Sequence, residues 1–241
     1  MKLRTKLLTL AVSLAVAGPL LADTVVLNFE GINSTYPSTD FAFINNFYNG
    51  GTSSQGTSGT NYGISFSSNA QAICLNTPGN VCSNTSRGGL GDPGSQQGGL
   101  FFLSGDNTFL DDAGGFTTGF SLFYTAINNP GSLGVYSGLD GTGTLLATLD
   151  LPTTTYGGCD YGSYDADFCP FYAVGVAFSG TAESISFAGV ENQIVFDDVT
   201  FGSVNPGNPG TTPEPSSLAM LLTAAGAGAG FLRRKLRASR I

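Results

Sequence analysis

Between its two ends this chain carries no amphipathic helical pattern longer than two turns; short β-branched and aromatic runs recur instead. They are Thr24 to Phe29, Phe41 to Tyr48, Gly63 to Ser67, Leu100 to Leu103, Phe116 to Thr125, Leu133 to Tyr136, Thr144 to Asp150, Phe171 to Phe178, Ser184 to Ala188 and Gln193 to Phe201. Gly, Asn, Pro or Asp breaks separate them, the pattern of half-buried strands divided by tight turns. Many such strands in one chain predict an all-β fold, an antiparallel β-sandwich of jelly-roll type. Alternation is visible at Ser184 to Phe187, where Ile185 and Phe187 point one way and the two serines the other. The segment 23–203 is long enough to bury one sizeable core.

The absence of histidine excludes Ser-His-Asp and Cys-His catalysis and imidazole metal ligation. Charge is divided unevenly. Lys2, Arg4 and Lys6 open the chain, Arg233, Arg234, Lys235, Arg237 and Arg240 close it, and Arg87 alone lies between. Residues 23–213 hold that one arginine against sixteen of the seventeen acids, a formal charge of −15. Such a body repels phosphate backbones, which excludes nucleic acid as a partner.

The ends read as addresses. Residues 1–22 combine a basic start, an apolar run from Leu7 to Leu21 and Ala22 at the boundary, the layout of a secretory signal peptide cleaved near Ala22. An uncleaved anchor is the competing reading. A Pro/Gly linker, 204–212, precedes Pro213-Glu214-Pro215, an uncharged apolar stretch 216–232, and the basic run Arg233, Arg234, Lys235 and Arg237. As a helix the stretch would cover roughly 25 Å, a marginal transmembrane span. The basic side would stay in the cytoplasm and leave the body outside.

This ending resembles the PEP-CTERM sorting signal of exosortase substrates in motif, order and terminal position (213–241). The resemblance implies a Gram-negative bacterium, transient membrane insertion as an inner-membrane-anchored precursor, processing by an exosortase, and release to the cell surface or extracellular matrix. It further implies a role linked to exopolysaccharide, biofilm or floc formation.

Four cysteines allow three connectivities. Export favours oxidation and short loop closure favours neighbours, so Cys74 with Cys82 and Cys159 with Cys169 are the expected disulfides. Zinc is the weaker alternative, because the spacings lack a C-x2-C knuckle. Two segments poor in apolar residues, Asn49 to Asn61 and Ser83 to Gly99, read as mobile surface loops, with ligand-binding loops as the alternative.

Among the acids, Glu30 follows the first strand, and Asp197 and Asp198 interrupt the last, Val195 to Phe201. Strict alternation would put Phe196 and Val199 on opposite faces; a bulge at the two aspartates would return both to the core and turn one acid inward. A buried carboxylate in a body with one arginine calls for a bound cation, and calcium accepts such oxygens. The same residues resemble a feature of carbohydrate-binding-module-like jelly rolls, in which a Phe-Glu near the first strand and an Asp-Asp in the last contribute to a structural calcium site. Carried over, the resemblance nominates Glu30 and Asp197, with Asp198 as substitute. Exposed solvated acids are the competing reading.

Asp160, Asp165 and Asp167 read as a solvated acidic loop, Asp111-Asp112 as turn residues, and Asp140-Gly141 as a hairpin turn. Tyr36, Tyr48, Tyr62, Tyr156, Tyr161 and Tyr164 fall in or beside loops and are candidates to stack on sugar. No catalytic constellation emerges. The expected function is a non-enzymatic surface or matrix module, with a carbohydrate-active hydrolase using paired carboxylates as the alternative.

Overall fold

The computed structural model describes residues 24–33, 41–75, 97–126, 128–154, 170–190 and 194–207, all within one compact unit, Ala22–Thr212. The expected signal peptide, the sorting tail with its apolar stretch, Cys82, Cys159 and Cys169, Asp160, Asp165 and Asp167, and Tyr36, Tyr156, Tyr161 and Tyr164 lie outside these residues. Among the described residues, no helix is long and apolar enough to cross a membrane.

The strands are β1 (Val25–Leu27), β2 (Phe41–Phe43), β3 (Ile64–Phe66), β4 (Gln71–Cys74), β5 (Gly98–Phe101), β6 (Phe109–Phe116), β7 (Gly119–Ala126), β8 (Gly131–Tyr136), β9 (Leu145–Leu151), β10 (Tyr172–Ala177), β11 (Ala182–Gly189) and β12 (Ile194–Phe201). They form two sheets. One runs β10-β7-β12-β5-β4-β2, with β1 also paired to β12; the other runs β3-β6-β11-β8-β9. Every pairing is antiparallel.

The sheets face each other across one apolar core. Leu110, Phe116, Leu133, Val135, Ile185 and Phe187 on the five-stranded side meet Leu100, Phe120, Leu122 and Phe196 on the other. Aromatic rings stitch the layers together: Phe187 lies 5.5 Å from Phe196, and Phe116 lies 4.9 Å from Phe201 at 86°. Edge-to-face pairs of this kind contribute about 0.5–1.5 kcal/mol each beyond the area they bury. The fold is thus the antiparallel, jelly-roll-like sandwich that the strand rhythm predicts.

A second apolar cluster, Ile73, Leu75, Phe101 and Val195, is buried with Phe171 packed against it. Val195 alternates with Ile194 and Phe196, so this cluster occupies the opposite face of the seven-stranded sheet. Cover on both faces explains why β4 and β12 are buried at every position.

The Asp140-Gly141 turn forms as expected, with both residues left-handed (φ 54° and 66°) in the β8–β9 hairpin. Asp111-Asp112, expected in a turn, instead lie within β6, paired to Ser65 and Ile64. The misleading Asp-Asp-Ala-Gly-Gly string is an irregularity inside that strand. Four residues of β6, 112–115, lie opposite the single Glu183 of β11, and Gly115 has φ 72°. Gly98 and Gly99, assigned by sequence to a loop, belong to β5.

Cys74 closes β4 and is disulfide-bonded; its partner falls outside the described residues.

Candidate functional site

The site begins with an interruption of the last strand. Asp197 pairs with Phe123 and Thr200 with Ser121, so two residues of β12 oppose the single Leu122. This is the expected bulge, and it places Phe196 and Val199 together in the core. Asp198 takes the left-handed conformation there, φ 44°, and its N–H donates to Asp197 Oδ1 at 2.8 Å. Asp197 is fully buried.

Opposite the bulge the first strand ends. Leu27 pairs with Val199, and two residues later Phe29 enters the core with φ 57°. A left-handed backbone is unfavourable for a bulky residue and needs support. Tyr48 supplies part of it: its buried hydroxyl accepts the Phe29 N–H at 3.0 Å, and its ring packs edge-on to Phe29 at 6.0 Å. Glu30 anchors the next residue, its Oε1 accepting the N–H groups of Gln97 at 2.7 Å and Gly98 at 2.9 Å. Only glycine fits at position 98, since a Cβ there would lie 2.1 Å from the Phe29 carbonyl oxygen. One junction therefore gathers the end of β1, the start of β5 and the bulge of β12.

Tyr48 also registers the field of this junction. Burial pushes its hydroxyl pKa well above the ordinary tyrosine value; the Phe29 N–H opposes that, and Asp197, Tyr62 and Glu30 reinforce it. Asp198 is directed elsewhere, its Oδ2 lying beside Gly207 and Phe123. Of the three nominated acids, Asp197 and Asp198 sit together in the β12 bulge, and Glu30 is bonded to the start of β5. Among the described residues, no three His, Cys, Asp or Glu side chains gather closely enough to hold a metal ion by themselves.

Beside this junction lies a cleft of about 440 Å³. Val26 and Asn28, on the face of β1 opposite Leu27, form one side with Glu30 and Gly31. Phe47 and Tyr48 form the back, and Ser58, Gly59, Thr60 and Tyr62 the other wall. Ser58, Gly59 and Thr60 belong to the Asn49 to Asn61 segment, expected as a mobile loop and found folded against the sandwich.

Hydrogen bonds and packing hold the segment in place. Ser53 Oγ donates to the Ile32 carbonyl at 2.9 Å, Ser54 N to the Phe43 carbonyl at 3.0 Å, and Tyr62 N to the Tyr48 carbonyl at 2.9 Å. Gly59 presses on the Phe47 ring so closely that a Cβ would meet Cε1 at 2.3 Å. A chain of aromatics, Phe66, Tyr48 and Tyr62, leads from the core to the cleft with successive ring centroids 6.2 Å apart. Tyr48 is buried, which corrects its reading as a sugar platform, whereas Tyr62 is 41% exposed and presents its ring in the cleft.

A different acidic group lies on the five-stranded sheet. Asp111 Oδ1 accepts the Asp140 N–H at 2.9 Å. Partial burial raises the Asp111 pKa above its ordinary value; the Asp140 N–H opposes the shift and the Asp140 carboxylate adds to it. Asp112 is raised by the same burial, opposed by the Gly114 and Gly115 N–H groups and reinforced by Glu183. None of these four acids lines the cleft, whose lining includes one carboxylate, Glu30.

No protein-family model matches the chain, and no curated protein matches it. Solved structures do. A family 6 carbohydrate-binding module from Clostridium stercorarium in complex with cellobiose is 17% identical over 58% of this chain and 86% of its own, with a TM-score of 0.33. A second family 6 carbohydrate-binding module, whose binding subsites were dissected by crystallography and calorimetry, is 20% identical over 57% of this chain and 86% of its own, with a TM-score of 0.32. Likenesses this slight carry no argument about what this chain binds.

Proposed function

We propose that this protein is a non-enzymatic, exported module that binds polysaccharide through the Tyr62 cleft. One observation carries the reading: an exposed tyrosine, backed by buried aromatics and faced by Asn28, Glu30, Ser58 and Thr60, lines a cavity of ligand size. A tyrosine face suits the C–H-rich face of a sugar ring, and short polar side chains suit its hydroxyls. The wall is fixed by hydrogen bonds before any ligand arrives, which reduces the ordering cost of binding.

Hydrolysis fits less well. Glycosidases need two carboxylates flanking the bond, about 5–9.5 Å apart. Glu30 is the one carboxylate in the described lining, and its Oε1 is committed to two backbone N–H groups. Incubation with matrix polysaccharide separates the readings: a binder co-sediments and leaves chain length unchanged, whereas release of reducing ends by the purified protein would make it a hydrolase.

Export and exosortase processing rest on the sequence of the two ends, which resembles that of PEP-CTERM substrates. The expected mature chain begins near Asp23 and loses the residues after Pro213-Glu214-Pro215; a surface product still ending at Ile241 would contradict this. A structural calcium ion is proposed at the β1–β12 junction, held by Glu30 and Asp197 and completed by backbone carbonyls. Its support is the buried Asp197 carboxylate in the β12 bulge, on the strand that pairs with β1, which Glu30 follows.

A further inference from the structure

Among the described residues the strand order leaves five strands paired on one side only: β1, β2 and β10 in the larger sheet, β3 and β9 in the smaller. The open side of a strand presents N–H and C=O groups that template pairing with another chain, and proteins protect such edges by shortness, charge, proline or bulges. Four of the five have protection of this kind. β1, β2 and β3 are three residues each, and the rim of β2 is taken up by Ser54, whose Oγ accepts the Phe43 N–H at 2.9 Å and whose N–H donates to the Phe43 carbonyl at 3.0 Å. β9 carries the exposed Asp150 and a register shift against β8. β10 has no such device. Tyr172–Ala177 contains no charge and no proline, and it pairs with β7 through six consecutive residues without a shift. β9 packs near it at the edge of the facing sheet and is not paired to it.

Charge indicates what this edge can meet. Residues 170–182 hold no Asp, Glu, Lys or Arg, in a body of formal charge −15 whose copies repel one another. Two copies can therefore approach along this neutral stretch without setting acid against acid. Ala173, Gly175 and Ala177 are exposed on one face of the strand, while Val174 and Val176 turn toward the core. We infer that β10 is a docking edge for a second copy of this chain, the two strands pairing antiparallel about a two-fold axis at Gly175. A two-fold axis normal to a continuous sheet keeps each face on its own side, so Ala173 lies opposite Ala177 of the second copy and Val174 opposite its Val176. The contact is self-complementary and closes at two copies. Its small extent makes the dimer reversible and dependent on concentration. None of these residues lines the Tyr62 cleft, so the inference stands apart from the glycan-binding reading.

The test is sedimentation velocity of the exported protein over concentrations from about 1 μM to about 1 mM, with amide hydrogen exchange read by mass spectrometry on the same samples. The expected result is a reversible monomer–dimer equilibrium in which exchange at residues 172–177 slows as concentration rises. Screening of the like-charged bodies should strengthen the dimer between about 0.01 M and about 0.15 M salt. Ala173→Lys with Ala177→Lys sets like charges opposite each other at two symmetry-related places and should weaken the dimer about fivefold or more, even though it lowers the net negative charge that keeps copies apart. Ala173→Glu with Ala177→Lys turns the same two places into opposite-charge pairs and should restore it. The substituted residues are exposed, and melting curves verify that both variants fold. A wild type that stays monomeric throughout, a dimer that the paired lysines leave intact, or no restoration by the Glu and Lys pair overturns the inference. Protection that rises elsewhere than in β10, or growth beyond the dimer, overturns it as well.

Discussion

Replacing Tyr48 with phenylalanine isolates the support of the strained turn after β1. The substitution keeps the ring, and with it the packing against Phe29 at 6.0 Å and Phe47 at 4.9 Å. It removes only the hydroxyl that accepts the Phe29 N–H, in a residue already held at φ 57° and fully buried. A buried donor left without its acceptor costs about 1–3 kcal/mol. Taking about 2 kcal/mol, and about 2–4 °C of Tm per kcal/mol for a domain of this size, Tyr48→Phe should melt about 4–8 °C below wild type. Thermal unfolding followed by circular dichroism reads this, with Tyr62→Phe as the control, since the exposed Tyr62 should tolerate the same change. A Tyr48→Phe protein melting within about 1 °C of wild type would refute the role given to this hydrogen bond.

Asp111→Asn retains an acceptor for the Asp140 N–H but removes a carboxyl whose folded pKa is raised. Such a group takes up protons on folding, so its contribution is complete below the unfolded value of about 3.9 and is lost as pH rises through the folded one. Wild type should therefore gain stability relative to Asp111→Asn on acidification, and denaturant melts across that range giving a pH-independent difference would contradict the assignment. Non-reducing peptide mapping should link Cys74 to Cys82 and Cys159 to Cys169, each bridge contributing on the order of 2–3 kcal/mol; a crossed map would refute the local-staple reading. Calcium should raise Tm more than magnesium at matched ionic strength, an advantage that Glu30→Gln with Asp197→Asn abolishes, because an ion bound only by the folded state stabilises it. Equal responses to the two ions in both proteins would return these acids to a purely structural role.

The strand rhythm was a sound guide to the fold because each run of apolar residues is closed by a residue that turns the chain. It failed at two strands. β4, Gln71–Cys74, is short and buried on both faces, so no alternation marks it. β6, Phe109–Phe116, contains Asp-Asp and Gly-Gly, which in isolation mark turns, yet pairing with β3 and β11 overrides that local preference. The β12 bulge was legible because Phe196 and Val199 could reach one core only if the period of two was broken. The cleft was not. Its far wall is a polar segment whose folding depends on Ser53 finding the Ile32 carbonyl and Gly59 finding the Phe47 ring, contacts that no periodicity announces. The same distances explain why Tyr48 and Tyr62, indistinguishable as loop tyrosines, divide into a buried brace and an exposed platform.

The central claim, that the cleft is where polysaccharide binds, is tested most directly by comparing two exposed tyrosines. Tyr62 is 41% exposed inside the cleft, and Tyr172, 42% exposed on β10, lies outside its lining. Affinity electrophoresis of the exported protein through gels containing matrix polysaccharide, with wild type, Tyr62→Ala and Tyr172→Ala run side by side, reads both at once. An aromatic contact is worth about 0.5–1.5 kcal/mol beyond the area it buries, so Tyr62→Ala should bind several-fold more weakly, with reduced retardation, while Tyr172→Ala migrates like wild type. Equal retardation of all three proteins, or loss with Tyr172→Ala alone, would contradict the assignment of the cleft.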